Sequence, residues 1–440
     1  MITQKATGLN SRNEANLYNK DGFLPLITAP MYSVVDESNW HIFENLGVQV
    51  CMPRNKVAAS LHAFHSLSLQ EFINVYIDKK YEELGKVFEN GIEIKNNIIS
   101  KICIDTANGN MPYLHDAIRK AKEIHGDKLI IMAGNVASVE AFISLAKTGV
   151  DYIRVGIGGG GGCNTTSNTG VGQEDLGNLI EQCFNYRRKE SSVIKGCFQE
   201  GLSQYLTRHG VHADYHREVY ATSCNVSKVK IVADGISSYI KQCEVKYEFN
   251  DNGYAAINKL LFAGADLVMV GKLFAQCLES AGDKTSKIRH NSGENWIASG
   301  KAIFEIWNNE RDELMVKYSG MSTQEEQEKY KKWNPKTNDI IEIKVFSNWS
   351  KGRYLGLDND KKSHLVQDDY GYILKSEEIR PIIDIIKPSE GSVNWIPVRW
   401  TLNEWLHGSE NQDSYPYLMG WTNSIKSAMA YTRKLTLSRT

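Results

Sequence analysis

One short stretch of this chain could carry covalent chemistry: Val155-Gly156-Ile157-Gly158-Gly159-Gly160-Gly161-Gly162-Cys163-Asn164-Thr165-Thr166. An apolar run, Tyr152-Ile153-Arg154-Val155, leads into six glycines within seven positions, then one cysteine and two threonines. Glycines let main chain approach a ligand closely, and a thiol becomes a nucleophile once it ionises. A loop of this kind at a strand end suits a covalent catalyst. Taken alone, the stretch fits a glycine linker with an idle cysteine equally well.

The elements around it favour the first reading. Short apolar runs at Leu24–Thr28, Val48–Met52, 86–88, Lys101–Asp105, Leu129–Ala133, Tyr152–Val155, Val229–Ala233 and Asp266–Val270 read as eight strands. Their apolar character is continuous, as expected of parallel strands buried on both faces. Helical patterns alternate with them: Glu37–Leu46, Leu69–Tyr76, Tyr113–His125, Val139–Lys147, Leu176–Arg188 and Tyr254–Phe262. This rhythm predicts an α/β fold, a (β/α)8 TIM barrel. The alternative, a doubly wound sheet, lacks an early GxGxxG opening a helix. Residues 1–22 read as an N-terminal arm and 23–440 as one catalytic barrel, with insertions at about 189–228 and 333–385. In a barrel every strand end falls on one rim. Met31-Tyr32-Ser33, Pro53-Arg54-Asn55, Asp105 to Gly109, Gly134-Asn135, the cysteine loop, Asp234-Gly235 and Gly271-Lys272 would all converge there.

Composition excludes several function classes. With 51 basic and 52 acidic residues, no global charge favours nucleic acid or a membrane surface. No apolar run reaches the ~20 residues that span a bilayer, and the first residues lack a signal-peptide core. Eight cysteines without CxxC pairs fit reduced thiols in a cytoplasmic protein rather than a disulfide scaffold or a zinc site. His209, His212 and His216 have spacings that could share a helix face, but Gly210 and the missing acidic or thiol partner favour a plain insertion.

The strand-end motifs resemble the IMP dehydrogenase/GMP reductase family, and the reductases most. Ala29-Pro30-Met31 is similar to the first-strand motif, Ile104-Asp105-Thr106-Ala107-Asn108-Gly109 to the reductase form of the fourth, and Ile131 to Val136 to the fifth. Val155 to Gly172 resembles the catalytic loop. Ala233-Asp234-Gly235 and Val270-Gly271 resemble the ribose and phosphate loops, and Tyr318 to Ser322 and Ser389-Glu390-Gly391 two later active-site segments.

The resemblance implies NADPH-dependent reductive deamination of GMP to IMP through a thioimidate on Cys163. Thr165 and Glu390 would then supply the proton that lets ammonia leave. Asp234 would accept the ribose hydroxyls, with Gly235, Gly271, Lys272, Gly320, Met321, Ser322, Lys387, Ser389 and Gly391 also on the nucleotide. Arg54, Asp105, Thr106, Ala107 and Ser427 would face the cofactor. Carbonyls of Gly158, Gly160, Cys163 and Thr166 match the family's K+ site, and a homotetramer is implied. The alternatives are oxidation of IMP to XMP, the same chemistry on another purine nucleotide, and a non-catalytic nucleotide-binding relative. Departures from the family pattern bear on the nucleotide. Ile236 and Lys272 stand where the family has second glycines, Gly161 where it has a serine, Tyr32 for an aspartate, Arg54 for a lysine and Asn164 for a threonine.

Overall fold

The computed structural model describes residues 11–78, 100–160, 163, 165–237 except 201–224, 239, 252–294, 296–319, 340–345, 348–358, 363–368, 372–376, 379–381, 393–409 and 418–432. The chain divides into two compact units, Met1–Gly320 with Val393–Thr440, and Met321–Ser392.

The first unit is built on eight parallel strands: β1 (Leu26–Thr28), β2 (Cys51–Met52), β3 (Phe64–Leu67), β4 (Lys101–Asp105), β5 (Ile130–Val136), β6 (Tyr152–Val155), β7 (Lys230–Ala233) and β8 (Leu267–Val270). They hydrogen-bond in the order β1-β8-β7-β6-β5-β4-β3-β2. The Gln49 amide donates to Leu26 O and the Thr28 amide to Gln49 O, both at 3.0 Å, which joins β1 to β2. The result is the expected (β/α)8 barrel. Between the strands lie α1 (Trp40–Asn45), α2 (Leu69–Tyr76), α3 (Pro112–His125), α4 (Val139–Ala146), α5 (Thr165–Thr169), α6 (Leu176–Glu200) and α7 (Tyr254–Ala263).

Side-chain alternation divides the core in two. Ile27, Cys51, Phe64, Cys103, Met132, Val232 and Met269 fill the barrel interior. Their strand neighbours Leu26, Met52, Leu67, Ile104, Ile131, Ile153, Ile231 and Val268 join the outer layer beneath the helices. Both sets are buried, so most of the strands read as continuous apolar runs. Local signals set helix starts: Ser68 and Glu71 form a capping box on α2, and Ser138 caps α4.

One expectation is corrected. The third strand is Phe64–Leu67, not 86–88, which lie outside the described residues. Phe-His-Ser-Leu does not read as an apolar run, yet Ser66 packs beside Cys51 (Sγ to Oγ, 3.7 Å) and His65 accepts from the Ala58 amide (3.2 Å). Burial pushes the His65 imidazole down to about 4, against the opposing pull of its backbone bonds, so it is neutral at pH 7. In the stretch read as an insertion from about 189, α6 runs on to Glu200, and His209, His212 and His216 lie outside the described residues. Within the stretch read as an arm, Ala15 and Leu17 are buried against the barrel.

After β8, β9 (Lys284–Ser286), β10 (Leu314–Ser319) and β16 (Val393–Pro397) form a small antiparallel sheet in the order β16-β10-β9. The second unit holds an antiparallel sheet of β11 (Ile340–Val345), β12 (Asn348–Leu357), β13 (His364–Asp368), β14 (Ile373–Ser376) and β15 (Ile379–Pro381), in the order β14-β13-β12-β11-β15. Among the described residues no helix is long and apolar enough to cross a membrane. Cys51, Cys103, Cys163, Cys183 and Cys277 are free thiols, and no cluster of three His, Cys, Asp or Glu could hold a metal ion among the described residues.

Candidate active site

Cys163 lies where the glycine stretch after β6 turns into α5. Its amide donates to Gly160 O (3.1 Å), and its half-buried thiol donates to Thr165 Oγ1 at 3.1 Å. A hydroxyl that accepts from the thiol can turn and donate to the thiolate, so the pair suits a sulfur that changes charge. The loop is tied down at both ends. Gln173 Oε1 accepts from the Ile157 amide (2.7 Å), Thr166 Oγ1 donates to Val171 O (2.8 Å), and the Gly170 amide donates to Thr166 O (2.9 Å).

The glycines have a packing reason. A Cβ on Gly156 would lie 2.1 Å from Asp234 O, and one on Gly235 3.0 Å from Gly159 Cα. Both residues also hold positive φ, +126° and +80°, which side chains rarely adopt. The cysteine loop after β6 and the Asp234 turn after β7 therefore meet backbone to backbone. Asp234 Oδ1 accepts from the Gly235 amide (2.7 Å), and Asn135 at the end of β5 donates to Asp234 Oδ2 (2.8 Å) and to Gly156 O (2.6 Å).

Arg154 joins this turn to the next strands. From β6 its guanidinium donates to Asp234 Oδ2 (Nη2 2.9 Å, Nε 3.2 Å) and to Asp105 Oδ1 (Nη1 3.0 Å). Asp105 in turn pairs with Arg54, whose Nη2 lies 3.2 Å from Oδ2 and 2.5 Å from the Asp105 carbonyl. The Tyr32 hydroxyl donates to the Arg54 carbonyl. Side-chain exposure rises along the chain outward from Arg154: 9% there, 17% at Asp234, 19% at Asp105 and 34% at Arg54. Only the outer members are open to a ligand. Burial works against charge at Arg154, but the Asp234 carboxylate, with Cys103 and Asp105, reverses this and keeps it ionised. Burial likewise raises the Asp105 carboxyl, and the Arg54 and Arg154 guanidiniums outweigh it, leaving it below the usual carboxylate range.

Of the expected site residues, the barrel brings Cys163, Thr165, Asp234, Gly235, Asp105, Thr106 and Arg54 to one rim. Thr106 donates to Gly134 O (3.0 Å), and Ala107 is exposed beside it. Gly271 follows β8, where a Cβ would meet Met31 Sδ at 3.2 Å and the Tyr318 hydroxyl at 3.5 Å; Lys272 opens the next short helix. Ser427 is in the helix Trp421–Thr432, where its hydroxyl donates back to Asn423 O (3.0 Å); it shares no hydrogen bond with the rim group. Gly320, Met321, Ser322, Lys387, Ser389, Glu390 and Gly391 lie outside the described residues. The sequence reading passed over Arg154 as a site residue. Its signal was an arginine in the middle of a four-residue buried strand, a place a charge occupies only with partners.

Residues 83–197, which carry β4 to β6, the cysteine loop and most of α6, match the model of the IMP dehydrogenase / GMP reductase domain. Over this stretch the chain is similar to the IMP dehydrogenase/GMP reductase family. It is 29% identical over 191 residues to the GMP reductase of Edwardsiella ictaluri (strain 93-146), covering 41% of this chain and 55% of that protein. Over a shorter stretch of 90 residues it is 42% identical to the GMP reductase of Enterobacter sp. (strain 638), covering 20% and 26%. It is 29% identical over 185 residues to the inosine-5'-monophosphate dehydrogenase of Chlorobaculum parvum (strain DSM 263 / NCIMB 8327), covering 42% and 27%. The chain thus spans about half the length of the GMP reductases it matches. The matched region holds the thiol, its threonine, Asp105, Asn135 and Arg154.

One observation bears on a nicotinamide cofactor, which the family implies. Arg54 Nε is buried with no hydrogen-bond partner among the described residues. It is a donor that a carboxamide or phosphate oxygen would satisfy, beside a partly exposed carboxylate suited to ribose hydroxyls. These residues fit such a group.

Proposed function

We propose that this protein is a purine nucleotide oxidoreductase that reductively deaminates GMP to IMP with NADPH. The observation that carries this reading is the Cys163 thiol, 3.1 Å from the Thr165 hydroxyl, on a loop packed against the Asp234 turn. Asp234 Oδ1, bonded only to the neighbouring Gly235 amide among the described groups, has capacity left to accept ribose hydroxyls. A nucleotide anchored there by its ribose extends its base over the adjoining loop. Cys163 attacks C2 of that base as the thiolate. The amino group leaves as ammonia once a proton reaches it through Thr165, with Glu390 as the source. NADPH, when bound against Arg54, Asp105 and Thr106, supplies the hydride that replaces the amino group at C2. Cys163 then departs with its bonding electron pair. The sum is GMP, NADPH and two protons giving IMP, NADP+ and ammonium.

Lys272, Gly271 and Gly235 are assigned to the phosphate side, with Gly320, Met321, Ser322, Lys387, Ser389 and Gly391 completing the nucleotide site. Lys272 supplies a cation for phosphate where the family pattern has glycine. Main-chain carbonyls of Gly158, Gly160, Cys163 and Thr166 are hard neutral oxygens that suit K+. A cytoplasmic homotetramer completes the reading carried over from the resemblance.

The test incubates the full chain with GMP and NADPH and follows nicotinamide absorbance together with ammonia release. Equal consumption and release support the reductase. The match to an inosine-5'-monophosphate dehydrogenase supports a second reading, oxidation of IMP; NAD+ reduction with IMP and none with GMP would replace the first by the second. Binding of GMP without turnover of either kind would leave a nucleotide-binding relative.

A further inference from the structure

Asp234 and Asp105 belong to different ligands in the reading above, yet one side chain holds both. Arg154 Nη2 and Nε grip the first and Nη1 the second, all between 2.9 and 3.2 Å. No lysine could do this, because an ammonium is a point donor whereas guanidinium presents its N–H groups in a fixed planar fork. The chain of bonds continues at both ends. Asn135 links Asp234 to the Gly156 carbonyl, where the cysteine loop begins, and Arg54 bounds Asp105 on the far side. Arg154 itself is nearly closed to solvent, and each carboxylate it holds is about twice as exposed.

We infer that Arg154 is a positioning residue that couples the two ligand subsites: a nucleotide settled on Asp234 fixes the fork, and the fork fixes Asp105 for the cofactor. The inference rests on the proposed function for what binds at each carboxylate. Coupling of this kind is reciprocal, so filling either subsite raises affinity at the other by the same factor. The shared guanidinium also explains why a charge is buried here at all. Two separate cations would hold two carboxylates as firmly, without making one depend on the other.

The experiment titrates the full chain with GMP, alone and with saturating NADP+, a pair that cannot turn over because the cofactor carries no hydride to give. In the wild type, NADP+ should lower the GMP Kd by roughly 5- to 50-fold. Arg154→Lys, confirmed as folded by its melting transition, should bring that factor to within about twofold of one while GMP still binds. A merely structural role for Arg154 would weaken both ligands and lower the melting temperature but leave the factor unchanged, and that result overturns the inference. Should Arg154→Lys fail to fold, Asp105→Asn cuts the same chain at its more exposed end. It should leave the GMP Kd alone within about threefold and abolish the factor; a folded Asp105→Asn that binds both ligands and keeps the wild-type factor also overturns the inference. A wild type that binds both ligands independently overturns the inference and leaves the functional reading standing. A wild type that binds neither GMP nor NADP+ overturns the functional reading, and the inference falls with it.

Discussion

The two ends of the barrel use the same ion-pair chemistry for different ends. At the floor, Asp151 precedes β6 and Asp266 precedes β8. Each sends its main-chain N–H to an isoleucine carbonyl on the neighbouring strand, Asp151 to Ile131 O (3.0 Å) and Asp266 to Ile231 O (2.8 Å). Each takes the same isoleucine's N–H on its carboxylate, at 2.6 and 2.8 Å. Each then binds a base from a helix: Lys122 for Asp151 (2.6 Å) and Arg187 for Asp266. The bases also bind main chain, Lys122 donating to Leu129 O and Arg187 to Val229 O. The helix is latched to the strand start, and the strand start to its neighbour.

At the rim the partners come from strands and strand ends rather than helices. Asp234 gathers Arg154 and Asn135, while Asp105 gathers Arg154 and Arg54. The difference teaches that a buried ion pair is not by itself a sign of a site. What marks the rim is one guanidinium shared by carboxylates from two different strand ends, on the face that carries the cysteine loop.

Four measurements would break or sharpen this contrast. Cys163→Ser should lower turnover with GMP and NADPH on the order of 10⁴-fold, with melting temperature and GMP affinity almost unchanged; an active serine variant would remove the thiol from the mechanism. Asp266→Asn should do the reverse. It leaves the Arg187 charge buried without its counter-ion, so about 3–5 kcal/mol of unfolding free energy should be lost in a urea titration. Turnover per folded molecule should hold, and a selective loss of turnover would dissolve the division between floor and rim.

Acidification gives the next effect. His65 titrates at about 4 when folded and near its ordinary value of about 6.5 when unfolded, so its contribution is present above the unfolded value and is lost as pH falls toward 4. The loss should reach about 3 kcal/mol, read as a falling urea midpoint between pH 6.5 and 4. A His65→Gln variant should show a flatter profile in that window. Asp105, held low by its guanidiniums, adds stability above its ordinary value near 4 and loses it only below that pH, so the two contributions separate. Smallest of the four, Thr165→Val should lower kcat about a hundredfold, the low end for a proton-transfer group, without moving the melting temperature. A Thr165→Ser variant should recover most of that.

Much of the fold was legible because barrel strands are buried on both faces and so write unbroken apolar runs into the chain. Lys101–Asp105 and Tyr152–Val155 were readable to the residue. Phe64–Leu67 was not, because between its apolar ends lie a serine beside a cysteine and a neutral histidine. Both are polar letters made acceptable by neighbours that local sequence does not name. Cys163 and Thr165 were named together by the family resemblance, and two positions of chain let a local turn bring thiol and hydroxyl to 3.1 Å.

What the sequence determined by itself was local: the strand rhythm, the helix caps at Ser68 and Ser138, and a thiol at the end of a glycine run. The reason for the glycines, and the partners of Arg154, were decided only by the closed barrel. Gly156 is glycine because Asp234 O approaches where its Cβ would be, and Arg154 is tolerated because carboxylates 49 positions before it and 80 after it arrive at the same rim. Such distances along the chain carry no local signal. They become hydrogen bonds only when eight strands wind into register and bring their ends together.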